Sequence, residues 1–276
     1  MPDTNFPDWK PELAEVTDFL TAAPLRRLAA VLDADHLPSP SDELPPLAHW
    51  LFFLPEDKQS TLSRDGHPER GGFLPPVPAL RRMWAGGSLE FLRPVPLEVR
   101  AVKRSVVEAV ETKQGTAGPL TFVTLLHSLL VDGEEYVRER QNLVYLNDAP
   151  ARREAKASMR VSERTRPVSL DITALFRFSA LTFNAHRIHY DESYARQIEG
   201  YTGLLVHGPF QAMLLMDHLL RSFPGARVQS FSFRAVRPLV VSGPFELRLS
   251  QGNGQVEIWT VDDQGAECMA AKATLA

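Results

Sequence analysis

Apolar residues in the first part of the chain recur at helical spacing. Residues 10–33 place them three and four positions apart, with Pro24 suited to a first helical turn, and this spacing predicts helix. The segment LPPLAHWLFFLP, residues 44–55, is apolar on nearly every side and predicts a short buried helix. Residues 56–80 are rich in proline and glycine, so we expect a long loop, of the kind that tends to be functional or mobile.

The pattern changes near residue 85, where β-branched and aromatic residues become frequent. Two runs, residues 88–111 and 121–146, have the composition of strands, and Asp132-Gly133 within the second run is a hairpin signal. These residues predict an antiparallel sheet in the first half of the chain.

The second half repeats this plan. Helices are predicted over residues 171–181, with Asp171 as the N-cap, over the later segment ESYARQI, and over residues 207–225, where Pro209 suits the first turn. Strand-like runs separated by short turns follow the last of these helices. The order of elements therefore predicts an internal repeat.

An Arg-Pro pair after a predicted strand marks this repeat, at residues 93–94 and again at 237–238. Each half combines a very apolar helix with an antiparallel sheet that could wrap it. The sequence therefore predicts an α+β fold, a tandem of two antiparallel sheets that each wrap a buried helix and can pair their edge strands. The predicted boundaries are residues 1–146, a linker of charged and small residues at 147–168, and residues 169–276.

Composition limits the classes of function. The 276 residues carry 30 basic and 34 acidic side chains, a net charge of −4, which lacks the basic excess of nucleic-acid-binding proteins. No apolar run reaches the roughly 18 residues of a membrane span. The single cysteine, Cys268, cannot form an internal disulfide and is expected to be buried. The N-terminal residues lack signal-peptide features, so we expect a cytoplasmic protein.

A dense group of polar residues lies in the second half. The stretch FNAHRIHYD begins at Phe183, and a His-Gly pair opens the last predicted helix. Residue types that bind zinc or ferrous iron are present in this region: His186, His189, Asp191 and His207. Their spacing matches no established metal signature, so a metal site is the weaker interpretation.

Acid/base catalysis requires less of the sequence. One imidazole that lies within hydrogen-bond reach of a proton and is oriented by a neighbour is sufficient, and His189 follows Asn184 in a loop between two predicted helices. The N-terminus of the helix at Gly208 exposes unpaired N–H groups that could polarise a carbonyl oxygen. The residues alone leave two interpretations open, a catalytic site built on His189 and Gly208 or a polar loop with structural roles.

The segments around this loop carry a family resemblance. FRFSALTFNAHRIHYDESYAR and GLLVHGPFQAMLL resemble the hydratase motif of MaoC-like enzymes of the hot-dog superfamily. In the first half, LPPLAHWLFFLP and GGFLPPVPALRRMWAGGSLEFLRP resemble the N-terminal FAS1-like dehydratase domain of the branch with mesaconyl-C4-CoA hydratase and the type 2 3-hydroxyacyl-thioester dehydratases. The resemblance implies a double hot-dog fold. It also implies reversible hydration of an enoyl thioester to a 3-hydroxyacyl thioester, with no metal or redox cofactor.

The resemblance implies roles for individual residues. In the hydratase motif a catalytic aspartate precedes a catalytic histidine by five residues, and Asn184 and His189 occupy these positions. Because an amide cannot take a proton, Asn184 is expected to orient the reactants and His189 to be the sole proton carrier. The backbone N–H of Gly208 is expected to polarise the thioester carbonyl. The N-terminal half has no such loop and is expected to be non-catalytic and to shape the pocket.

The implied substrate is an acyl-CoA or an acyl carrier protein thioester. The sequence is compatible with a monomer and with a homodimer of the protein. Candidate substrate-binding residues are arginines that could hold phosphates or a second carboxylate, with aromatic and polar residues near the motif: Arg81, Arg82, Arg187, Arg234, Arg237, Trp84, Tyr190 and His207. Two alternative functions remain at this point, a non-catalytic acyl-thioester binding protein and a hot-dog thioesterase.

Overall fold

A single antiparallel sheet of ten strands forms the framework of the computed structural model. The structure describes residues 6, 8–10, 12–37, 43–69, 72–79, 81–115, 118–147, 156–252 and 254–276. The first half contributes five strands, β1 (Ala14–Leu20), β2 (Arg81–Phe91), β3 (Val99–Gly115), β4 (Gly118–Val131) and β5 (Glu134–Leu146). The second half contributes β6 (Arg164–Val168), β7 (Val228–Ala235), β8 (Phe245–Gly252), β9 (Gln255–Val261) and β10 (Glu267–Leu275).

The two halves of the sheet have the same internal order. The first runs β1-β3-β4-β5-β2 and the second, taken from the other edge, runs β6-β8-β9-β10-β7. Strands β2 and β7 pair antiparallel in the middle, with Gly87 opposite Phe233 and Leu89 opposite Phe231. The predicted tandem repeat is therefore present, but its two sheets are joined into one continuous sheet.

Four α-helices lie in the described chain: α1 (Ala22–Val31), α2 (Ile172–Leu181), α3 (Glu192–Gln197) and α4 (Gly208–Ser222). Helix α4 is buried along most of its length and packs on β8, β9 and β10, as the all-round apolar pattern of residues 207–225 predicts. None of these helices has the length and apolar character that a membrane crossing requires.

Several local predictions are confirmed. Asp171 caps α2, because its Oδ1 accepts a hydrogen bond of 2.8 Å from the N–H of Ala174. Asp132 and Gly133 both have positive φ angles, 49° and 82°, and turn β4 into β5. Cys268 is fully buried, and burial raises the pKa of its thiol to about 12, so it is an unreactive core residue.

The prediction of helix over residues 10–33 is wrong in its first part. Ala14–Leu20 forms β1 and pairs with β3, and the helix begins only at Ala22. Thr17 and Phe19 favour strand, and pairing with the neighbouring β3 outweighs the spacing of apolar residues that indicated helix.

The predicted buried helix at residues 44–55 is also wrong. Only Ala48–Leu51 is helical, as a single turn of 3₁₀ helix. Leu47 has a left-handed φ of 70°, which an α-helix does not allow, and Pro45-Pro46 before it lack N–H donors. The described residues of the N-terminal half therefore contain no counterpart of α4.

The structure describes Asn147 and residues 156–168 of the predicted linker. The later part belongs to the sheet. Ala157 forms a bridge with Ala266, and Arg164–Val168 is strand β6, which pairs with β8. Charged side chains are compatible with this edge strand because one of its faces is solvated.

The hydrophobic core is shared between the halves. One large cluster joins α4 and the inner faces of β7–β10 to Leu20, Leu47 and Leu89 of the first half. A second, smaller cluster lies farther along the N-terminal sheet, around Val123 and Tyr145. Polar residues lie between these two clusters on the same sheet face, and they form one wall of the cavity described below.

We expect removal of the α2 cap to destabilise the protein. Asp171→Ala leaves the first turn of the helix without its side-chain acceptor, and the free energy of unfolding should fall by about 1 kcal/mol. The matched control is Asp35→Ala, because Asp35 is exposed. Thermal unfolding followed by circular dichroism should place the transition of Asp171→Ala a few degrees below that of the control. Equal transitions would contradict a stabilising cap.

Candidate active site

A cavity of about 790 Å³ lies between the two halves of the protein. Its N-terminal wall comes from the 3₁₀ helix at Ala48–Leu51, from the loop after it and from one face of β3–β5. Its C-terminal wall comes from the end of α2, the loop that follows it and Pro209 at the start of α4. The cavity has the size of sites that bind small molecules. It lies against the face of β3–β5 on which the described N-terminal residues form a 3₁₀ turn and no long helix.

Asn184 lies on the cavity wall in the loop after α2. Its backbone N–H donates to the carbonyl of Ser179 at 2.8 Å, and its side-chain Oδ1 accepts from the N–H of His186 at 2.9 Å. This Asx turn fixes the side chain and leaves its amide nitrogen without a partner among the described residues. The arrangement suits an orienting role.

His189 is buried behind Asn184 and is held in one tautomer. Its Nδ1 donates to the carbonyl of Leu205 at 2.9 Å, so Nε2 carries the lone pair. Burial, with a smaller contribution from His186, lowers the pKa of His189 to about 3. The imidazole is therefore neutral near pH 7 and its Nε2 is a proton acceptor.

His207 and Gly208 lie next to this imidazole. The ring of His207 stacks on the ring of His189 with centroids 3.6 Å apart, and its Nε2 is 2.8 Å from the Oγ of Ser179. His207 is completely buried, which lowers its pKa well below the usual value, so it supports His189 and is not placed to contact substrate. Asn184 and Pro209 form the cavity wall here, and His189, His207 and Gly208 are not among its lining residues. The His189 ring therefore lies against the N-terminus of α4.

Gly208 is the first residue of α4. A side chain there would meet no described atom within 4 Å, so packing inside the protein does not explain the glycine. The N–H of a first helical residue has no partner within its own helix, and it carries part of the positive charge of the helix terminus. This end of α4 can therefore receive a carbonyl oxygen.

Three of the predicted substrate-binding residues line the cavity: Arg82, Trp84 and Tyr190. The Trp84 ring packs on Trp50, with centroids 5.1 Å apart, and the Tyr190 hydroxyl donates to the carbonyl of Ala185. Arg82 forms no ion pair within 4.0 Å among the described residues, so its guanidinium is available to an anionic group.

The other predicted arginines are placed away from the cavity wall. Arg81 pairs with Glu199, Arg187 with Asp191 and Arg237 with Asp262, at 3.0, 2.7 and 3.5 Å. Arg234 is exposed on β7. None of these four lines the cavity: three pair with neighbouring carboxylates and the fourth faces solvent.

The turn at residues 63–68 contributes residues that the sequence did not indicate. It packs directly on the hydratase motif: the N–H of Arg187 donates to the carbonyl of Asp65 at 2.9 Å. A Cβ at Gly66 would lie 1.9 Å from the carbonyl oxygen of Ala185, so only glycine allows this approach, and its φ of 93° also requires one. The predicted loop at 56–80 is therefore part of the site.

Asp65 and His67 form a histidine–carboxylate pair within this turn. His67 Nδ1 lies 3.1 Å from Asp65 Oδ2, and the His67 backbone N–H donates to Oδ1 at 2.9 Å. Burial alone would raise the pKa of Asp65, but the hydrogen bond and charge of His67 outweigh it and lower that pKa well below its usual value. His67 lies on the cavity wall, so its remaining nitrogen can act there.

The histidine rings from both halves are in contact in series. His67 lies 4.2 Å from His186 between centroids, and His186 lies 5.4 Å from His189. Burial, then the charge of His67, lowers the pKa of His186 to about 3, so this middle imidazole is neutral. The series connects the Asp65–His67 pair to the buried His189.

The predicted metal set does not converge. Asp191 caps α3, and His189 bonds to the carbonyl of Leu205. A different group, Asp65, His67 and His186, has one possible ligand atom from each within 4.8 Å of the others. The Asp65–His67 hydrogen bond accounts for part of this closeness. The group therefore gives no independent reason to infer a metal ion.

The chain is similar to known proteins over its full length. The hydroxyacyl-thioester dehydratase type 2 family matches residues 47–241. Mesaconyl-C(4)-CoA hydratase from Chloroflexus aurantiacus is 38% identical over 279 residues, which cover 100% of this chain and 99% of that protein.

Solved structures agree on the fold. A MaoC-like dehydratase from Phytophthora capsici superposes with a TM-score of 0.71 at 16% identity, covering 97% of this chain and 96% of that one. A Mycobacterium tuberculosis protein described as having a double hotdog fold superposes with a TM-score of 0.61 at 12% identity, covering 96% of each chain. These likenesses confirm the predicted double hot-dog fold. By its sequence match, the chain belongs to the hydroxyacyl-thioester dehydratase type 2 family.

Proposed function

We propose that the protein reversibly hydrates an enoyl thioester to a 3-hydroxyacyl thioester. The observation that carries this proposal is the stacking of His189 on His207 at 3.6 Å, which puts an oriented, neutral imidazole beside the N-terminus of α4. A proton acceptor next to a group that polarises a carbonyl is the combination that addition of water to an enoyl thioester requires. Family membership supports the same reaction class.

In this proposal the first step is binding of the thioester carbonyl at Gly208. Its N–H, with the partial positive charge of the helix terminus, binds the thioester oxygen and stabilises the negative charge that develops there. This withdraws electrons from C3 of the enoyl group, where the water oxygen then bonds. Asn184 on the cavity wall orients the water or the thioester and takes no proton.

The proton of the water goes to Nε2 of His189. The pKa of about 3 reflects burial, and the negative charge that forms on the thioester offsets this effect as the proton arrives. The C2=C3 electron pair moves into the C2–carbonyl unit, and C2 must then take a proton.

We assign delivery of the C2 proton to His67. Asp65 accepts the hydrogen bond from His67 Nδ1 and stabilises an imidazolium, in the way a carboxylate supports the histidine of a catalytic triad. His67 gives its Nε2 proton to C2 and becomes neutral, and the proton on His189 returns to His67 through water in the cavity. The net reaction adds one water, and the N-terminal half then takes part in the chemistry.

The substrate in this proposal is the CoA thioester of a short acid, mesaconyl-C4-CoA or a relative. The name of the hydratase from Chloroflexus aurantiacus supports it, since that protein is 38% identical over the whole chain. Arg82 is the candidate for an anionic group of the substrate, because it lines the cavity with no ion pair among the described residues.

His189→Ala should lower kcat by about 10²- to 10⁴-fold, since it removes the proton acceptor. The assay follows loss of enoyl-thioester absorbance with crotonyl-CoA and mesaconyl-C4-CoA. The matched control is His36→Ala, because His36 is exposed. Unchanged turnover in His189→Ala would contradict the mechanism. No turnover by the wild type, with thioester binding retained, would favour a binding protein, and release of free thiol would favour a thioesterase.

Asn184 provides a separate test of orientation. Asn184→Ala should lower kcat because the Asx turn and the oriented amide are both lost. Asn184→Asp keeps the acceptor for the His186 N–H and adds a group that can take a proton, so its kcat should be equal to or above that of the wild type. Steady-state kinetics on the same two thioesters decide the matter, and an inactive Asn184→Asp enzyme would show that orientation is not its role.

His67→Gln should lower kcat by about 10²-fold or more with a smaller change in KM, because a proton carrier is lost while the cavity shape is kept. Asp65→Asn should give a smaller loss, since it weakens the imidazolium but leaves His67 in place. The pH dependence of kcat should also change in both variants. A kcat equal to that of His36→Ala in both would leave His189 as the sole proton carrier.

A further inference from the structure

The N-terminal wall of the cavity carries a polar cluster that the hydration mechanism does not use. Lys103 on β3, His127 on β4 and Glu139 on β5 share one sheet face, since His127 lies opposite Glu139 in the register and Lys103 lies opposite Leu129 in the next row. His49 from the 3₁₀ helix also lines the cavity here. Apolar residues flank this cluster along the face, in the two hydrophobic clusters of the core.

Glu139 is the buried anion of this cluster. His49 Nε2 lies 3.0 Å from Oε2, and the indole N–H of Trp50 donates to both carboxylate oxygens at 3.0 and 3.1 Å. Burial alone would raise the pKa of Glu139, but the hydrogen bond and charge of His49 outweigh it, so the pKa is lowered and the group stays ionised. Its oxygens are thereby occupied by donors of the protein.

Lys103 is the cation of the cluster and has spare donors. Its Nζ donates to the carbonyl of Phe53 at 3.3 Å and lies 5.6 Å from the centroid of the Phe53 ring. Among the described residues no carboxylate lies within 4.0 Å of this nitrogen. Burial lowers the pKa of Lys103, and the charge of Glu139 opposes that effect. The ammonium group therefore lines the cavity with two of its three N–H groups unengaged by described residues.

His127 is satisfied within the protein and is not a free donor. Its Nδ1 lies 2.7 Å from the Oγ of Ser105, and its Nε2 lies 3.1 Å from the Oε1 of Gln141. Burial, ahead of the opposing charge of Glu139, lowers its pKa, so it is neutral beside the lysine. Lys103 is therefore the group in this cluster that can bind an anion.

An alkyl chain would be a poor occupant of this wall. It would remove water from Lys103 without offering a partner, and a buried charge without a partner is costly. A carboxylate would satisfy the free ammonium donors with charge-assisted hydrogen bonds. The apolar residues beside the cluster, Leu129 and Val137, would cover the carbon atoms of a short chain.

We propose that Lys103, held by its hydrogen bond to the Phe53 carbonyl on the same wall as Glu139, forms a binding site for a carboxylate at the far end of the acyl group. Mesaconyl-C4-CoA, the substrate of the proposed function, carries such a free carboxyl, and the new assignment is that Lys103 binds it. This inference rests on the proposed function, because the acyl group of a thioester bound at Gly208 must extend into the same cavity, which the adjacent Pro209 lines.

The test compares two saturated four-carbon ligands that cannot be hydrated, succinyl-CoA and butyryl-CoA, which differ in a terminal carboxylate against a methyl group. Calorimetric titration of the wild type should give a Kd for succinyl-CoA about 10- to 100-fold lower, the range of a hydrogen bond to a charged group. Lys103→Met should bring the succinyl-CoA Kd close to that of butyryl-CoA, and Lys103→Arg should retain part of the preference.

Lys113→Met is the matched control, because Lys113 is an exposed lysine on the same strand and pairs with Glu111. It should keep the wild-type preference, and circular dichroism checks the folding of each variant. Equal affinity of the wild type for the two ligands would overturn the inference, and so would equal weakening of both ligands by Lys103→Met. Hydration of crotonyl-CoA is measured in parallel.

The two proposals fail separately in this design. If crotonyl-CoA is hydrated and succinyl-CoA binds no more tightly than butyryl-CoA, the carboxylate site is wrong and the proposed function stands. If succinyl-CoA is preferred through Lys103 and no enoyl thioester is hydrated, the site stands as a ligand site and the proposed function is wrong.

Discussion

The pairing of β2 with β7 is the constraint on which the rest of the structure depends. It joins two five-stranded halves into one sheet and brings residues of the first half into the core around α4. Because Pro45-Pro46 and the left-handed Leu47 prevent a second long helix, the matching side of the N-terminal sheet is left open. The cavity of about 790 Å³ lies there, next to the start of α4. A site between the halves thus follows from one strand pairing and from the 3₁₀ turn that stands in the described N-terminal half where the C-terminal half has α4.

Burial sets the electrostatics on the two sides of this cavity in different ways. On the C-terminal side burial holds His186, His189 and His207 neutral, and for His186 it outweighs the opposing charge of Asp65. On the N-terminal side the two carboxylates, Asp65 and Glu139, each have a histidine partner at about 3 Å. Neutral acceptors therefore face groups that can support positive charge.

The sequence predicts best those features that depend on neighbouring residues. The Asp171 cap, the Asp132-Gly133 turn and the apolar helix α4 are local, and all three are found. The spacing of apolar residues predicts helix at β1, but its conformation is decided by pairing with β3, whose partner residues lie 79 to 91 positions away. The sequence does not indicate that Arg81 and Arg187 pair with Glu199 and Asp191, because an ion pair depends on how the side chains meet in the fold.

The residues that sequence reasoning missed all require knowledge of the fold. Lys103 and Glu139 are 36 positions apart and meet the same cavity only because β3, β4 and β5 are adjacent in this register. His67 lies in a loop whose composition suggested function, but its contact with His186 appears only when the turn packs on the motif through Gly66. Each of these residues comes from the half that was expected only to shape the pocket. Since Asn184 cannot take a proton, the proposed mechanism takes its second proton carrier, His67, and its anchor for the acyl end, Lys103, from the N-terminal half.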